Sequence, residues 1–286
     1  PPQKAIFGFG TTGSNVSMTN LVNSSGVVAT DVSGVGTARQ ELAAGGYGTD
    51  KAIFGYGTTG SRVSLTNLVS NSGVVASDTT GVGTVRQALA ASTYGGDKAI
   101  FGYGYATTYS SLTNLVSNVG VVATDTTGVG TARTNVAAAE YGGDKAIFGY
   151  GETSGALSMT NLVTNAGVVG TDVSGVGTAR NAPAAAGYGN DKAIFGFGST
   201  GSYVSITNLV NSSGVVGADV SGVGTARGWM GAATYGADKA IFAYGNTGSR
   251  VATSNLVNSS GVVGSDVTGV GTARSGLKAA GYSQSA

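Results

Sequence analysis

The sequence predicts an all-β fold built from six copies of one repeat, and three observations support this prediction. A Lys-Ala-Ile-Phe segment recurs every 47 residues. Glycine is abundant, with 51 residues against 3 prolines, and it separates short segments at regular intervals. Those segments are rich in β-branched residues, which favour an extended backbone. We expect a single domain over residues 1–286, with repeats at 4–50, 51–97, 98–144, 145–191, 192–238 and 239–285.

The second repeat shows how the predicted elements follow one another. Residues 51–57 alternate between two faces, which is the period of a strand. The β-branched segment 63–71 predicts a second strand and residues 74–80 predict a third. Ser72-Gly73 separates these two segments by two residues, which is a tight hairpin signal, and residues 95–97 are a second turn.

The fourth element is the alanine-rich segment that begins at Gln87. A helix is the alternative for residues 87–91, because alanine is the best helix former, but about five residues do not sustain a helix alone. Small side chains instead suit the strand nearest the axis of a radial assembly. Four strands repeated every ~40 to 50 residues are typical of β-propeller blades. The sequence therefore predicts a six-bladed β-propeller of six four-stranded repeats.

The two ends of the chain fall inside one predicted blade. The sequence begins with the strand at residues 4–10 and ends with the strand at residues 278–282. We expect the last strand to become the inner strand of the first blade. That pairing would close the ring and remove its open edges.

The same run of motifs recurs in all six repeats. In the stretch from Thr84 to Asp125, an arginine precedes the small-residue strand, and Lys-Ala-Ile-Phe-Gly follows the turn. Leu-Thr-Asn-Leu-Val comes next, and Val-Val-Ala-Thr closes on the aspartate. These motifs resemble those of kelch-type blades, which implies a kelch-like β-propeller. The repeats are also similar to those of uncharacterised marine phage proteins, which implies a place on a phage particle.

The composition excludes several classes of function. The chain has no histidine and no cysteine, which removes imidazole bases, thiolate nucleophiles and the usual ligands of zinc, copper and haem. A formal net charge of +1 gives no electrostatic reason for a nucleic-acid partner. No segment has the roughly 20 apolar residues that span a bilayer, so we expect no membrane insertion. Because the usual metal and haem ligands are missing, we also expect no cofactor and no metal. The chain starts at Pro1 without a methionine, and we expect it to be processed or a fragment.

Most charged residues recur once in each repeat. The recurring arginines are Arg39, Arg86, Arg133, Arg180, Arg227 and Arg274. The recurring aspartates are Asp31, Asp78, Asp125, Asp172, Asp219 and Asp266, with a second set at Asp50, Asp97, Asp144, Asp191 and Asp238. Apart from the recurring lysines, the other charged residues are Arg62, Arg250, Lys278, Glu41, Glu140 and Glu152.

A group that is present in every repeat is more typical of a scaffold than of a site. We therefore expect the arginine and aspartate rings to hold turns and neighbouring blades through hydrogen bonds to the backbone. The alternative is a ring of six equal carboxylates that binds a cation or a sugar. Glycoside hydrolysis needs two carboxyl groups in unlike environments, and sixfold repetition provides like ones, so we expect no catalytic residues.

The differences between the repeats gather in two segments. One is the loop that follows the Lys-Ala-Ile-Phe strand, at residues 11–15, 58–62, 105–109, 152–156, 199–203 and 246–250. The other is the entry to the alanine-rich strand, at residues 40–42, 87–89, 134–136, 181–183, 228–230 and 275–277. In an antiparallel blade both segments emerge on one face of the ring. The nearly invariant turns, such as Ser72-Gly73, are expected on the other face.

Aromatic and arginine side chains outside the repeat pattern fall in these variable segments. They are Trp229, Tyr105, Tyr109, Tyr203, Arg62 and Arg250. These residue types are enriched at binding hot spots, and divergent loops on a rigid scaffold commonly carry recognition. We expect these six residues to bind a ligand. The alternative is drift in loops that little constrains, with Trp229 plugging the channel mouth.

The sequence therefore favours a non-enzymatic adhesion or ligand-binding propeller whose partner is a surface glycan or a protein receptor. Abundant serine, threonine and asparagine with few charges are typical of secreted or virion-surface adhesins, so we expect that location. The alternative is a structural or decoration protein of a virus particle, which would contact neighbouring subunits. A third class, a glycan-cleaving enzyme, would depend on one specific carboxylate.

Overall fold

A computed structural model describes residues 1–285, and Ala286, the last residue of the predicted domain, lies outside the described residues. Within residues 1–285 the regular structure is all β, with no helix and therefore no helical segment that could cross a membrane. The strands are β1 (Lys4–Gly8), β2 (Thr19–Val22), β3 (Ala43–Tyr47), β4 (Lys51–Gly55), β5 (Thr66–Val69), β6 (Ala90–Tyr94), β7 (Lys98–Gly102), β8 (Thr113–Val116), β9 (Ala137–Tyr141), β10 (Lys145–Gly149), β11 (Thr160–Val163), β12 (Ala184–Tyr188), β13 (Lys192–Gly196), β14 (Thr207–Val210), β15 (Gly231–Tyr235), β16 (Lys239–Ala243), β17 (Ser254–Val257) and β18 (Lys278–Tyr282).

The strands form six three-stranded antiparallel sheets. Each sheet has an inner, a middle and an outer strand, in the orders β3-β4-β5, β6-β7-β8, β9-β10-β11, β12-β13-β14, β15-β16-β17 and β18-β1-β2. The last of these sheets joins the two ends of the chain, because Lys4 pairs with Tyr282 and Gly8 pairs with Lys278. The prediction that the terminal strands share one sheet is confirmed.

The predicted fourth strand of each repeat is wrong. In the second repeat, two isolated bridges join residues 74–80 to β5, at Val69–Val75 and Thr66–Thr79. Between these bridges the edge segment has one more residue than β5, which interrupts the ladder as a β-bulge does. The side chain of Asn67 fills the interruption, because its Nδ2 donates to the Ala76 carbonyl at 3.0 Å. Each sheet is therefore three-stranded, with a bridged edge segment along its outer side.

The alanine-rich segment forms the inner strand and not a helix. The inner strands contact one another in cyclic order, from β3 through β6, β9, β12 and β15 to β18 and back to β3. Their second residue is alanine in every sheet, at Ala44, Ala91, Ala138, Ala185, Ala232 and Ala279. Small side chains at this position let each inner strand lie close to the two inner strands beside it.

The hydrophobic core lies between neighbouring sheets. The ring of Phe54 on β4 packs against Phe9, which follows β1, with the ring centroids 5.2 Å apart. A Cβ atom on Gly8 would lie 2.7 Å from the Phe54 ring, so glycine at the end of five of the six middle strands leaves room for the next aromatic side chain, while β16 ends in Ala243. Because aromatic pairs bury large areas in a defined geometry, this packing sets how closely the sheets approach.

A fully buried arginine joins each pair of neighbouring sheets. The Arg39 Nε donates to the Tyr56 carbonyl at 2.8 Å and its Nη2 donates to Asn67 Oδ1 at 2.7 Å. The guanidinium carbon also lies 4.3 Å from the centre of the Phe9 ring. Burial lowers the pKa of Arg39 to about 10, so the side chain stays charged at neutral pH. Arginines at the same position donate to the equivalent asparagine in the other sheets, namely Arg86, Arg133, Arg180, Arg227 and Arg274.

An aspartate completes each arginine joint. Asp78 accepts hydrogen bonds from the Thr37 amide at 3.0 Å, from its hydroxyl at 2.6 Å and from Asn67 at 2.9 Å. Its carboxylate lies 3.8 Å from the Arg39 guanidinium. Burial acts to raise the pKa of Asp78, but these hydrogen bonds and Arg39 outweigh it and the pKa is lowered. The threonine–aspartate contact recurs all round the ring and closes between Thr272 and Asp31. The expected scaffold role is confirmed for the recurring arginines and for the aspartates at Asp31 and its five equivalent positions.

Removing the last strand should expose the first one. We expect deletion of residues 277–286 to accelerate amide hydrogen exchange at residues 5–9, because β1 would keep only β2 as a partner. The strand β10, three sheets away, is the internal control and should keep slower exchange. Unchanged exchange at residues 5–9 in the deletion variant would contradict the closure of the ring through β18.

Breaking one joint should destabilise the protein far more than breaking a surface ion pair. We expect Asp78→Ala to lower the free energy of unfolding by about 2 to 4 kcal/mol, because it leaves the buried Arg39 without its counter-ion. The matched control is Asp50→Ala, which removes the exposed pair with Lys51 and should cost about 0 to 1 kcal/mol. A carboxyl group with a lowered pKa contributes stability that is lost as the pH falls below about 4. The free energy of unfolding of Asp78→Ala should therefore depend less on pH in the acid range. If urea unfolding showed that Asp78→Ala and Asp50→Ala lower the free energy of unfolding equally, the stabilising role of the joint would be refuted.

Candidate functional site

The two variable segments of the repeats lie together at one end of the ring. In the second sheet, Gln40 and Thr58 exchange backbone hydrogen bonds of 3.1 and 2.9 Å. The same bridge joins the two segments in every sheet, at Thr11–Ser275, Gln40–Thr58, Gln87–Tyr105, Thr134–Glu152, Asn181–Ser199 and Gly228–Asn246. We call this end the variable end. The prediction that both segments share one face is confirmed.

The short, nearly invariant turns lie at the opposite end of the sheets. Asn71 in the turn after β5 donates to Asp50, which lies in the turn between β3 and β4, at 3.2 Å. Equivalent contacts join Asn118 to Asp97 and Asn165 to Asp144. We call this the turn end, and its position also agrees with the sequence prediction.

A closed ring of backbone hydrogen bonds surrounds the axis at the variable end. It is formed by one residue from each strand entry, and we call these residues the mouth ring: Glu41, Ala88, Asn135, Ala182, Trp229 and Gly276. Each amide donates to the carbonyl of its neighbour, at distances from 2.7 Å for Ala88 to 3.3 Å for Trp229. All six have left-handed backbones, with φ between 46° and 65°. This conformation is strained for residues other than glycine, and the hydrogen-bonded ring holds it.

Trp229, the first of the predicted site residues, lies in the mouth ring. Its side chain is half-buried and lines a small cavity on the axis together with Ala88, Asn135 and Lys278. The position suits either interpretation of the sequence, because a residue at the mouth can plug the channel or meet a ligand. Alanine stands at the same backbone position in two other repeats, so the ring does not require a large side chain there.

Three other predicted residues form one cluster, which we call the tyrosine patch: Arg62, Tyr105 and Tyr109. The Arg62 guanidinium carbon lies 4.7 Å from the centre of the Tyr105 ring, and that ring meets Tyr109 edge-on at 5.7 Å. The Tyr109 hydroxyl donates to the Thr153 carbonyl at 2.6 Å, in the next loop, while its ring stays 40% exposed. The patch therefore spans two neighbouring loops, contacts a third through Thr153, and presents aromatic surface to solvent.

The structure places the remaining two predicted residues outside this patch. Tyr203 lies beside Gly228, because a Cβ atom on that glycine would be 3.2 Å from its ring. It is thus next to the strand entry that carries Trp229. Arg250 lies in the loop that follows β16 and is exposed. The six residues share one end of the ring but do not form a single cluster.

Sequence reasoning missed the acidic residues of the variable end. The Glu152 carboxylate accepts hydrogen bonds from Asn135, at 2.6 Å, and from Asn181. Glu41 in the mouth ring accepts a hydrogen bond of 2.7 Å from Gln87, which bridges to Tyr105 through its backbone. Glu41 and Glu152 are among the few charged residues that do not recur in every repeat, and this exception could have identified them from the sequence.

Glu41 and Lys278 place two half-buried, opposite charges at this end of the axis. Burial raises the pKa of Glu41, although Gln87 and the charges of Lys278 and Arg62 oppose the rise. Burial lowers the pKa of Lys278 to about 8, against the attraction of Glu41. The mouth therefore combines an acceptor and a donor with the Trp229 ring.

The chemistry of the variable end is that of noncovalent recognition. It offers aromatic rings for stacking, guanidinium and amide donors, and carboxylate acceptors. Among residues 1–285, no group of three or more histidine, cysteine, aspartate or glutamate side chains is arranged to hold a metal ion. No family model matches the chain, and no curated protein matches it.

Removing the Glu152 carboxylate should loosen the variable end. We expect Glu152→Ala to lower the free energy of unfolding by about 1 to 3 kcal/mol, because two side-chain amides lose a charged acceptor. The matched control is Thr58→Ala at the equivalent loop position, where the hydroxyl accepts only from Gly60 within its own loop. Equal values for the two variants in urea unfolding would show that Glu152 does not tie the strand entries together.

Proposed function

We propose that the ring is a six-bladed, kelch-like β-propeller. Three features support this architecture: cyclic contact between the six inner strands, recurrence of the arginine joint at each sheet boundary, and a terminal sheet shared by both ends of the chain. Each blade then consists of three strands and the bridged edge segment. Closure of a propeller through one shared blade protects the edges of the ring.

The propeller acts as a non-enzymatic adhesion or ligand-binding module, and the variable end is its binding face. The observation that carries this proposal is the backbone bridge that joins the two variable segments in every sheet. Since the segments are held together by backbone atoms, their side chains are free to differ while the scaffold stays rigid. Divergent side chains on a rigid frame are a common means of recognition.

A surface glycan or a protein receptor is the partner that this face fits. The tyrosine patch supplies exposed aromatic surface with a cation over one ring, and Trp229 supplies a second aromatic surface at the axis. Aromatic rings with nearby donors suit stacking against sugar rings and hot spots for proteins. The proposed setting is the surface of a virion, such as a phage particle, or another extracellular surface.

Exposed valines favour a structural or decoration protein of a virus particle as the second candidate. One valine in each edge segment or its turn is 60–65% exposed, at Val27, Val74, Val121, Val168, Val215 and Val262. Contiguous apolar surface marks contacts with other proteins, and in this alternative a neighbouring subunit would cover each of these valines. In this alternative the valines, and not the variable end, carry the attachment.

Binding should depend on a few asymmetric residues of the variable end. We expect the variant Trp229→Ala/Tyr105→Ala/Tyr109→Ala to weaken attachment by about 1 to 3 kcal/mol for each true hot spot. Its melting temperature should stay nearly unchanged, because alanine already occupies the Trp229 position in two repeats and Tyr109 is exposed. Binding is measured on an array of glycans and host surface fractions.

Two controls separate recognition from structural effects in that assay. The variant Val74→Ala/Val121→Ala/Val168→Ala changes three exposed residues away from the variable end and should bind as the parent does. Gly120→Ala should instead harm folding, because φ is +84° and the new Cβ would lie 2.9 Å from Leu68. If the aromatic variant binds every target as the parent does, recognition through this face is refuted. If only the valine variant loses attachment, the structural function takes its place.

A further inference from the structure

A cavity of about 170 Å³ lies on the axis at the turn end, opposite the mouth ring. It reaches the fourth residue of each inner strand, at Gly46, Thr93, Glu140, Gly187, Thr234 and Gly281. Exposed turn residues such as Thr49, Gly96 and Gly143 also line it, so it opens to solvent. The cavity is independent of the variable end and of the function proposed for that end.

The polar side chains at this fourth position differ in their hydrogen-bond partners. The Thr93 hydroxyl donates to the Gly46 carbonyl at 3.1 Å, and the Thr234 hydroxyl donates to the Gly187 carbonyl at 2.9 Å. Each threonine therefore bonds the backbone of the neighbouring inner strand. Glu140 is the only charged residue at this position, and within residues 1–285 its carboxyl group has neither a hydrogen bond nor an ion pair.

Burial raises the pKa of Glu140 to about 7, and the charge of Asp144 acts in the same direction. The positive charge of the Pro1 amino group opposes these effects. The two lysines that line the cavity are already paired, Lys51 with Asp50 at 3.0 Å and Lys192 with Asp191 at 2.9 Å. Pro1 and Pro2 also line the cavity, and the Pro1 amino group is its one cation without an ion pair among residues 1–285. The Glu140 carboxyl group thus lies in a small cavity where the Pro1 amino group would compete with any other cation.

The surrounding atoms favour a ligand that donates hydrogen bonds. The cavity brings together the Glu140 carboxyl, threonine hydroxyl oxygens and backbone carbonyls of several inner strands. An ammonium group has three donors and no acceptor, and it forms its strongest hydrogen bonds with carboxylates. Hard divalent cations take six or more oxygen ligands and usually several carboxylates, whereas this position supplies one.

We propose that the axial cavity binds the ammonium group of a small organic amine, with the Glu140 carboxylate as its partner. The open volume of about 170 Å³ is large enough for a short carbon chain, and the threonine oxygens and carbonyls supply further acceptors. The amine can be free or be the amino head of a larger molecule at the open end. Both sources present the same group to Glu140.

Isothermal titration with methylammonium chloride tests this site, with sodium and potassium chloride at matched ionic strength as references. We expect saturable binding at pH 8 that is at least about tenfold weaker at pH 5.5, because the carboxyl group is protonated there. A chain extended by Gly-Ser before Pro1, which moves the amino group away, should bind at least as tightly. Absence of saturable binding at pH 8 in both chains, or equal heats with sodium and potassium, would overturn the proposal.

The matched variant is Glu140→Thr, because threonine occupies the same position in two other inner strands and should preserve the fold. We expect it to lose methylammonium binding by about tenfold or more, and the double variant Glu140→Thr/Thr93→Glu to regain it from a neighbouring strand. Thr80→Ala, an exposed substitution outside the cavity, should bind as the parent does. Parent-like affinity of a folded Glu140→Thr variant would refute the assignment.

A second readout does not require any substitution. The ¹³C chemical shift of the Glu140 carboxyl group follows its titration directly. We expect saturating methylammonium to shift this titration to lower pH, because a bound cation favours the carboxylate. An unchanged titration curve would count against the site.

Discussion

The six-sheet ring depends on the buried arginine between each pair of neighbouring sheets. A sheet of three short strands has little core of its own, so most of the apolar burial occurs where two sheets meet. Placing a guanidinium there costs several kcal/mol unless its donors find partners. Arg39 finds them in the Tyr56 carbonyl, in Asn67 and in the Thr37 carbonyl. The cation thereby fixes the register of one sheet against the next.

This joint explains why so much of each repeat is the same. Gly36 cannot carry a side chain, because a Cβ atom would lie 2.5 Å from both Asn67 and Asp78. Tyr56 has a left-handed backbone, with φ of 63°, which turns its carbonyl towards the arginine. By contrast, the variable segments contact each other through backbone hydrogen bonds, as Gln40 and Thr58 do. Variation is therefore tolerated at the variable end and excluded at the joint.

In a cyclic arrangement, a single residue of one repeat can change the chemistry of one end of the axis. The second residue of every inner strand is alanine, but the first and fourth positions admit one charged residue each, Lys278 and Glu140. On the surface of an ordinary domain such charges would be solvated and independent. Here both lie on the axis, where burial shifts their pKa values in opposite senses. The two ends of the axis thus differ chemically, although the repeats that form them are nearly identical.

The sequence by itself determined the all-β class, the six repeats, the inner position of the alanine-rich strands and the pairing of the two chain ends. Each of these follows from local patterns: a period of 47 residues, strand-length segments and turn residues. It also placed the variable segments at one end, because antiparallel strands return to the same side. Only the tertiary structure decided that the edge segment 74–80 is bridged and not a strand, because the Asn67 side chain, and not a backbone amide, donates to the Ala76 carbonyl. It alone brought Arg62 onto Tyr105, joined Glu152 to two asparagines and placed Glu140 in a cavity without a hydrogen bond or ion pair among residues 1–285. The physical reason is distance along the chain: Arg62 and Tyr105 come from different repeats, as do Glu152 and Asn135, and identical spacing cannot show which side chains meet until the ring has closed.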